Sequence, residues 1–156
     1  MRTAISQSDS VDLSSENNVE ELAKKFIDKL KPGFTVFLYG DTGVGKTTFV
    51  RYLINSFQKK NKQKITEVTS PTFNLLNEYQ INDLKINHYD LFRLKSEVEI
   101  KNLGIFENTL EVINLIEWPQ MIKKKPKKLV ELVFNYEEDF KKRFVKIKGL
   151  NLQLFK

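Results

Sequence analysis

The stretch Gly40-Asp41-Thr42-Gly43-Val44-Gly45-Lys46-Thr47 constrains this chain more than any other. The apolar run Thr35-Val36-Phe37-Leu38-Tyr39 precedes it, and Phe49, Val50, Leu53 and Ile54 follow at helical spacing. The segment therefore reads as a strand, a glycine-rich loop and a helix that runs to about Gln58. Glycines allow backbone angles that other residues resist, so the amides of Gly43, Val44, Gly45, Lys46, Thr47 and Thr48 can converge on phosphates at the positive end of the helix. Lys46 is placed to reach β- and γ-phosphates, and Thr47 to offer its hydroxyl to a magnesium ion bridging them. All four fixed positions of the motif match and both flanking elements are of the required type, which makes a chance glycine-rich turn improbable.

A chain of 156 residues suits one domain with a real core, without the accessory domains of a P-loop motor. Cysteine is absent, which rules out a disulfide framework, thiolate metal ligands and a cysteine nucleophile, and is compatible with a reducing cytoplasm. Apolar runs of only a few residues give no membrane span, and Met1-Arg2-Thr3-Ala4-Ile5 is followed by no signal-like hydrophobic region. The net charge of +6 would suit nucleic acid or an acidic partner. However, the lysines are dispersed and no exposed aromatics alternate with arginines, so direct RNA binding is the less favoured reading.

In chain order, residues 1 to about 14 are polar and aperiodic, a loose arm ahead of a domain covering 15–156. Leu22, Ala23, Phe26, Ile27 and Leu30 continue a helical pattern from Val19, with Asn18 and Glu21 placed as its capping pair and Pro32-Gly33 as its stop. Lys59-Lys60-Asn61-Lys62 reads as a solvated exit from the second helix. The cluster Val68-Thr69-Ser70-Pro71-Thr72-Phe73 leads to a strand pattern at Leu75, Leu76 and Tyr79, a turn at Asn82-Asp83, and a strand at Ile86-Asn87-His88-Tyr89-Asp90. Asp90, ending that strand, is a candidate second acid for a magnesium site. Ser96 and Glu99 form a capping pair for a helix that Gly104 stops. The run Val112-Ile113-Asn114-Leu115-Ile116 ends at Glu117-Trp118-Pro119. Two readings stand side by side there: Glu117 points out of the sheet's carboxyl edge, where open α/β sheets bind ligands, or it caps a short turn while Trp118 packs. After the basic loop Lys123-Lys124-Lys125-Pro126-Lys127-Lys128, two strands surround Glu137-Glu138-Asp139.

Gly40 to Thr48, Thr69-Ser70-Pro71-Thr72-Phe73, His88-Tyr89-Asp90-Leu91-Phe92-Arg93 and Ile116-Glu117-Trp118-Pro119 together resemble the bacterial TsaE (YjeE) family of tRNA threonylcarbamoyladenosine biosynthesis ATPases. The resemblance runs in order from about residue 16 to about residue 143. It implies an α/β P-loop NTPase fold, a single small domain with a mostly parallel central sheet and added antiparallel strands. It also implies Mg-dependent ATP hydrolysis in company with TsaB and TsaD, with tRNA reached only through that complex, and low activity in isolation. By the same resemblance Lys46 and the amides from Gly43 to Thr48 hold the phosphates, and Thr47 binds magnesium. Glu117 would ligate the ion or orient the attacking water, and Asp90 would complete the acid pair. Ser70, Thr72 and Trp118 would line the cleft or its mobile neighbour, with Glu16 and Arg143 near the adenine. Two positions depart from the family pattern: Phe92 stands where a Tyr is usual, and Tyr52 where a Gly often follows the first turn of the P-loop helix. The competing readings are a small-molecule P-loop kinase, which would need an arginine-rich lid that so few arginines make hard to build, and a nucleotide-dependent binding module with incidental hydrolysis.

Overall fold

A computed structural model of the chain describes residues 10–137 and 139–149. Seven strands form one sheet: β1 (Ser10–Asp12), β2 (Thr35–Tyr39), β3 (Leu76–Ile81), β4 (Leu84–Asp90), β5 (Val112–Glu117), β6 (Leu129–Glu137) and β7 (Lys142–Lys148). Their spatial order is β1-β7-β6-β2-β5-β4-β3. The four central strands β6, β2, β5 and β4 are parallel, and the outer strands add antiparallel to each side. The two middle strands, β2 and β5, are buried along nearly their whole length and read as near-continuous apolar runs because both faces are covered there, whereas β4 and β6 mix polar residues in and β6 alternates buried with half-buried positions.

Strand alternation decides which face each side chain serves. Val36, Leu38, Ile113, Leu115, Val130 and Leu132 face the larger core, together with helices α1 (Glu16–Ile27) and α2 (Lys46–Lys60). Phe37, Tyr89 and Ile116 face the other side, where Ile100 of α3 (Glu97–Asn102), Ile105 and Ile122 cover them. The two long helices lock through Phe26 and Phe49, both fully buried, with ring centroids 5.3 Å apart at 89°. Phe26→Ala is expected to destabilise the fold by about 3–5 kcal/mol, because neither helix can refill the space. A urea melt showing a loss below about 1 kcal/mol would mean this pair does not anchor the helices.

Local sequence signals held in several elements. At α3, Ser96 Oγ accepts from the Glu99 amide at 3.3 Å and Glu99 Oε2 accepts from the Ser96 amide at 3.2 Å, a complete capping box. The turn at Asn82-Asp83 joins β3 to β4, and β6 and β7 pair antiparallel from Glu131 with Lys148 to Glu137 with Lys142. Other boundaries moved. Helix α1 begins at Glu16, with Ser15 rather than Asn18 as its cap: Ser15 Oγ accepts from the Asn18 amide at 3.2 Å. The polar Glu16-Asn17-Asn18 turn shows no apolar period, so periodicity started the helix too late. Helix α2 continues through Lys59 and Lys60, which sit favourably at its negative end. Ser10–Asp12, within the stretch whose composition suggested a loose arm, pairs antiparallel with Phe144, Val145 and Lys146 of β7. An edge strand this short takes its order from the neighbouring ladder rather than from its own pattern. Residues 1–9 of that arm, and 150–156, lie outside the described residues.

Candidate active site

Strand β2 ends at Tyr39, and the loop Gly40 to Gly45 carries the chain onto α2. Gly40 has φ +144°, and a Cβ there would fall 2.8 Å from Val44 Cγ1 and 3.0 Å from the Phe134 carbonyl oxygen, so only glycine closes the loop against β6. Gly45 caps α2 at φ +119°, and the first turn of α2 has neither a side-chain cap nor an acidic residue. Its amides and the positive helix end thus face the cleft, the electrostatics of an anion site. Tyr136 of β6 donates its hydroxyl to the Gly43 carbonyl at 2.6 Å and tethers the loop tip. Nothing in the sequence around Tyr136 signalled this contact.

Lys46 is buried. Its ammonium donates to the Gly40 carbonyl and, at 3.4 Å, to the Asp41 carbonyl, and lies 3.9 Å from the centre of the Trp118 ring. Burial pulls its pKa below the ordinary lysine value, against the pull of the Glu117, Asp90 and Asp41 carboxylates. A cation in that position gains from an anionic ligand.

The carboxyl ends of β4 and β5 supply the acids. Their parallel register sets Asp90 opposite Glu117, on the sheet face that also carries α2. Thr47 Oγ1 donates to both Glu117 oxygens, at 3.2 and 3.1 Å. Behind Glu117, His88 Nε2 lies 2.6 Å from Oε2. Asp90 is held differently: Oδ2 accepts from Ser70 Oγ at 2.6 Å and Thr72 Oγ1 at 3.2 Å, and Oδ1 from the Phe92 amide at 3.0 Å. Glu117 therefore projects from the sheet's carboxyl edge, and the alternative in which it caps a helical turn does not occur. Trp118 adopts φ +58°, a left-handed conformation that costs a residue with a Cβ about 1–2 kcal/mol. That bend turns the indole onto Lys46, and Phe92 packs against it with centroids 4.8 Å apart.

These groups line a cleft of about 270 Å³ that includes Thr42, Gly43, Gly45, Lys46, Thr47, Thr48, Ser70, Thr72, Asp90, Phe92, Glu117 and Trp118. A second cavity of about 60 Å³ adjoins it, sharing Gly45 and Thr48 and lined by Val44, Glu16 and Arg143. Both weaker sequence candidates therefore sit beside the loop. Arg51 Nη2 lies 3.2 Å from Glu16 Oε1, and the Arg143 guanidinium lies 5.6 Å from the Tyr136 ring centre. The phenylalanine at position 92 leaves Asp90 anchored, because the segment holds that acid through a backbone amide. Tyr52, the other departure, packs against the larger core and lies beneath Arg51, 5.1 Å away.

The donor set fits a hard divalent cation. Thr47 and Glu117 meet in the cleft and Asp90 stands one strand away, all offering oxygen, as magnesium requires alongside phosphate. The sequence reading gave His88 no role. Its signal was only that the chain's one histidine lies two residues before Asp90 on the same strand face.

A family model described as threonylcarbamoyl adenosine biosynthesis protein TsaE matches residues 13–145. The chain belongs to the TsaE family. It is similar to proteins named tRNA threonylcarbamoyladenosine biosynthesis protein TsaE from Rickettsia conorii, 46% identical over 71% of this chain, and Rickettsia bellii, 43% identical over 83% of this chain and 88% of that protein. The chain spans 61% of the length of the Rickettsia conorii relative. YdiB from Bacillus subtilis has the same fold, with a TM-score of 0.69 and 23% identity over 93% of this chain and 87% of that structure. A P-loop NTPase fold is thus this TsaE chain's architecture, with its glycine loop at the carboxyl edge of the parallel strands. No described helix is long and apolar enough to cross a membrane.

Proposed function

We propose that this chain binds and hydrolyses ATP with magnesium, and so drives or resets a complex with TsaB and TsaD that places a threonylcarbamoyl group on the adenosine next to the anticodon of tRNAs reading codons that begin with A. The observation that carries this reading is the meeting of Thr47 at the start of α2 with Glu117 at the end of β5, beside the buried Lys46. Membership in a family described as threonylcarbamoyl adenosine biosynthesis protein supports the tRNA modification, and the cytoplasm is the compartment in which such a complex would work.

In this mechanism the loop amides and Lys46 would bind the β- and γ-phosphates, and Thr47 and Glu117 would hold magnesium. When bound, the ion neutralises charge developing on the phosphate oxygens. Glu117 orients water for attack in line with the γ-phosphate, while Asp90, tied to Ser70 and Thr72, holds the neighbouring segment against the cleft. Glu16 and Arg143, which line the smaller cavity, would border the adenine. The kinase alternative loses ground on the placement of the arginines. Arg51 is paired with Glu16, Arg93 donates to the Phe73 carbonyl and Arg143 lies on Tyr136, so none of the three supplies a lid over the γ-phosphate.

The decisive experiment measures ATP hydrolysis by the chain alone and with the TsaB–TsaD pair. The pair should raise the rate by about tenfold or more, roughly 1.4 kcal/mol off the barrier. A pair that neither binds nor changes the rate would sink the assignment. ATP binding that promotes association with no measurable turnover would favour the binding-module alternative.

A further inference from the structure

His88 has no exposed surface, and its Nε2 to Glu117 contact is its one hydrogen bond among the described residues, since Nδ1 has no partner there. A polar ring kept in an apolar core with half its capacity unused costs stability that an aliphatic side chain would not. A carboxylate only accepts, so Nε2 carries the hydrogen and donates. The unpaired Nδ1 then remains a bare acceptor, the less costly orphan, whereas a hydrogen there would be a buried donor with nowhere to go.

The two acids at the strand ends differ in what fixes them. Asp90 is held from the loop side by Ser70, Thr72 and the Phe92 amide. Glu117 has Thr47 on the cleft side and His88 on the core side. With Thr47 and Glu117 both engaged by an ion, His88 would be the hydrogen bond among the described residues that keeps the carboxylate from swinging among its rotamers.

We propose that His88 is a positioning residue that donates from Nε2 to Glu117 and presets the carboxylate for magnesium and the attacking water. Its functional part rests on the ATPase reading above, but the donor assignment does not. Outer-shell partners of this kind are worth about 10–100-fold in metal affinity or activity.

The test pairs kinetics with spectroscopy. His88→Leu should lower kcat and raise the magnesium requirement by about 10–100-fold while leaving the KM for ATP within roughly threefold, because the ring's hydrogen bond among the described residues goes to Glu117 and not to the P-loop. His88→Gln keeps an N–H near the Nε2 position and should recover most of both losses. With one histidine in the sequence, its ¹⁵N ring signals are unambiguous. They should show a protonated Nε2 and a bare Nδ1, with the Nε2 proton moving in Glu117→Ala. A bare Nε2 overturns the proposal, as does a folded His88→Leu with the wild-type kcat and magnesium requirement. A folded His88→Gln as impaired as His88→Leu does the same. Should His88→Leu fail to fold, the ring signals and the Gln variant decide alone. A wild-type chain that neither binds nor hydrolyses ATP with its partners sinks the ATPase reading and the functional part of this one, while the ring signals still report the donor.

Discussion

Lys46→Ala should all but abolish ATP binding while the protein stays folded. Among the described residues the ammonium is the one cation lining the main cleft, and its pKa is pulled down by burial although three carboxylates oppose that pull. Phosphate would give it a fully charge-compatible partner in place of the Gly40 and Asp41 carbonyls. Losing such a desolvated charge contact costs about 3–4 kcal/mol, a two- to three-order rise in Kd. The fold should tolerate the change, since removing a buried cation whose hydrogen bonds among the described residues go to carbonyls relieves desolvation as it removes contacts. Calorimetric titration with Mg-ATP gives the affinity. Trp118, the only tryptophan, gives an optical readout because its ring lies against Lys46. A variant that binds ATP within about threefold of the wild type would show that the loop amides and helix end suffice.

Glu117→Ala should separate binding from chemistry. The P-loop contacts remain, so ATP stays bound, but the carboxylate that meets Thr47 is gone. Turnover should fall by about 10²–10⁴-fold, the range for loss of a positioned group that acts on the attacking water. The fold is at some risk, since His88 would keep a buried donor without an acceptor, worth about 1–3 kcal/mol. Single-turnover hydrolysis, with binding measured on the same sample, distinguishes the outcomes. Normal hydrolysis would remove Glu117 from the mechanism, and loss of binding would make it a nucleotide-holding group instead.

Much of this architecture is legible in the sequence itself. Gly40 to Thr48 specifies its own loop because glycine conformations, the helix that follows and the lysine are local properties of adjacent residues. The Ser96–Glu99 capping box and the turn at Asn82-Asp83 are local in the same sense. Errors came where a local signal competed with context. Ser15 starts α1 although apolar spacing begins only at Val19, and Ser10–Asp12 joins the sheet through partners on β7.

The sequence by itself determined the loop and the polarity of its helix, since each depends on neighbours within a few positions, and it offered Asp90 and Glu117 as candidate acids at strand ends. Only the tertiary structure decided which acid meets Thr47. Parallel pairing of β4 and β5 puts Asp90 and Glu117 side by side. Yet Ser70 and Thr72 claim one acid while His88 steers the other to the P-loop, across separations that no local pattern encodes. The same holds for Glu16 and Arg143, brought beside Gly45 and Thr48 by the packing of α1 and β7 around the loop. Such contacts arise from strand register and helix packing, which are properties of the assembled sheet.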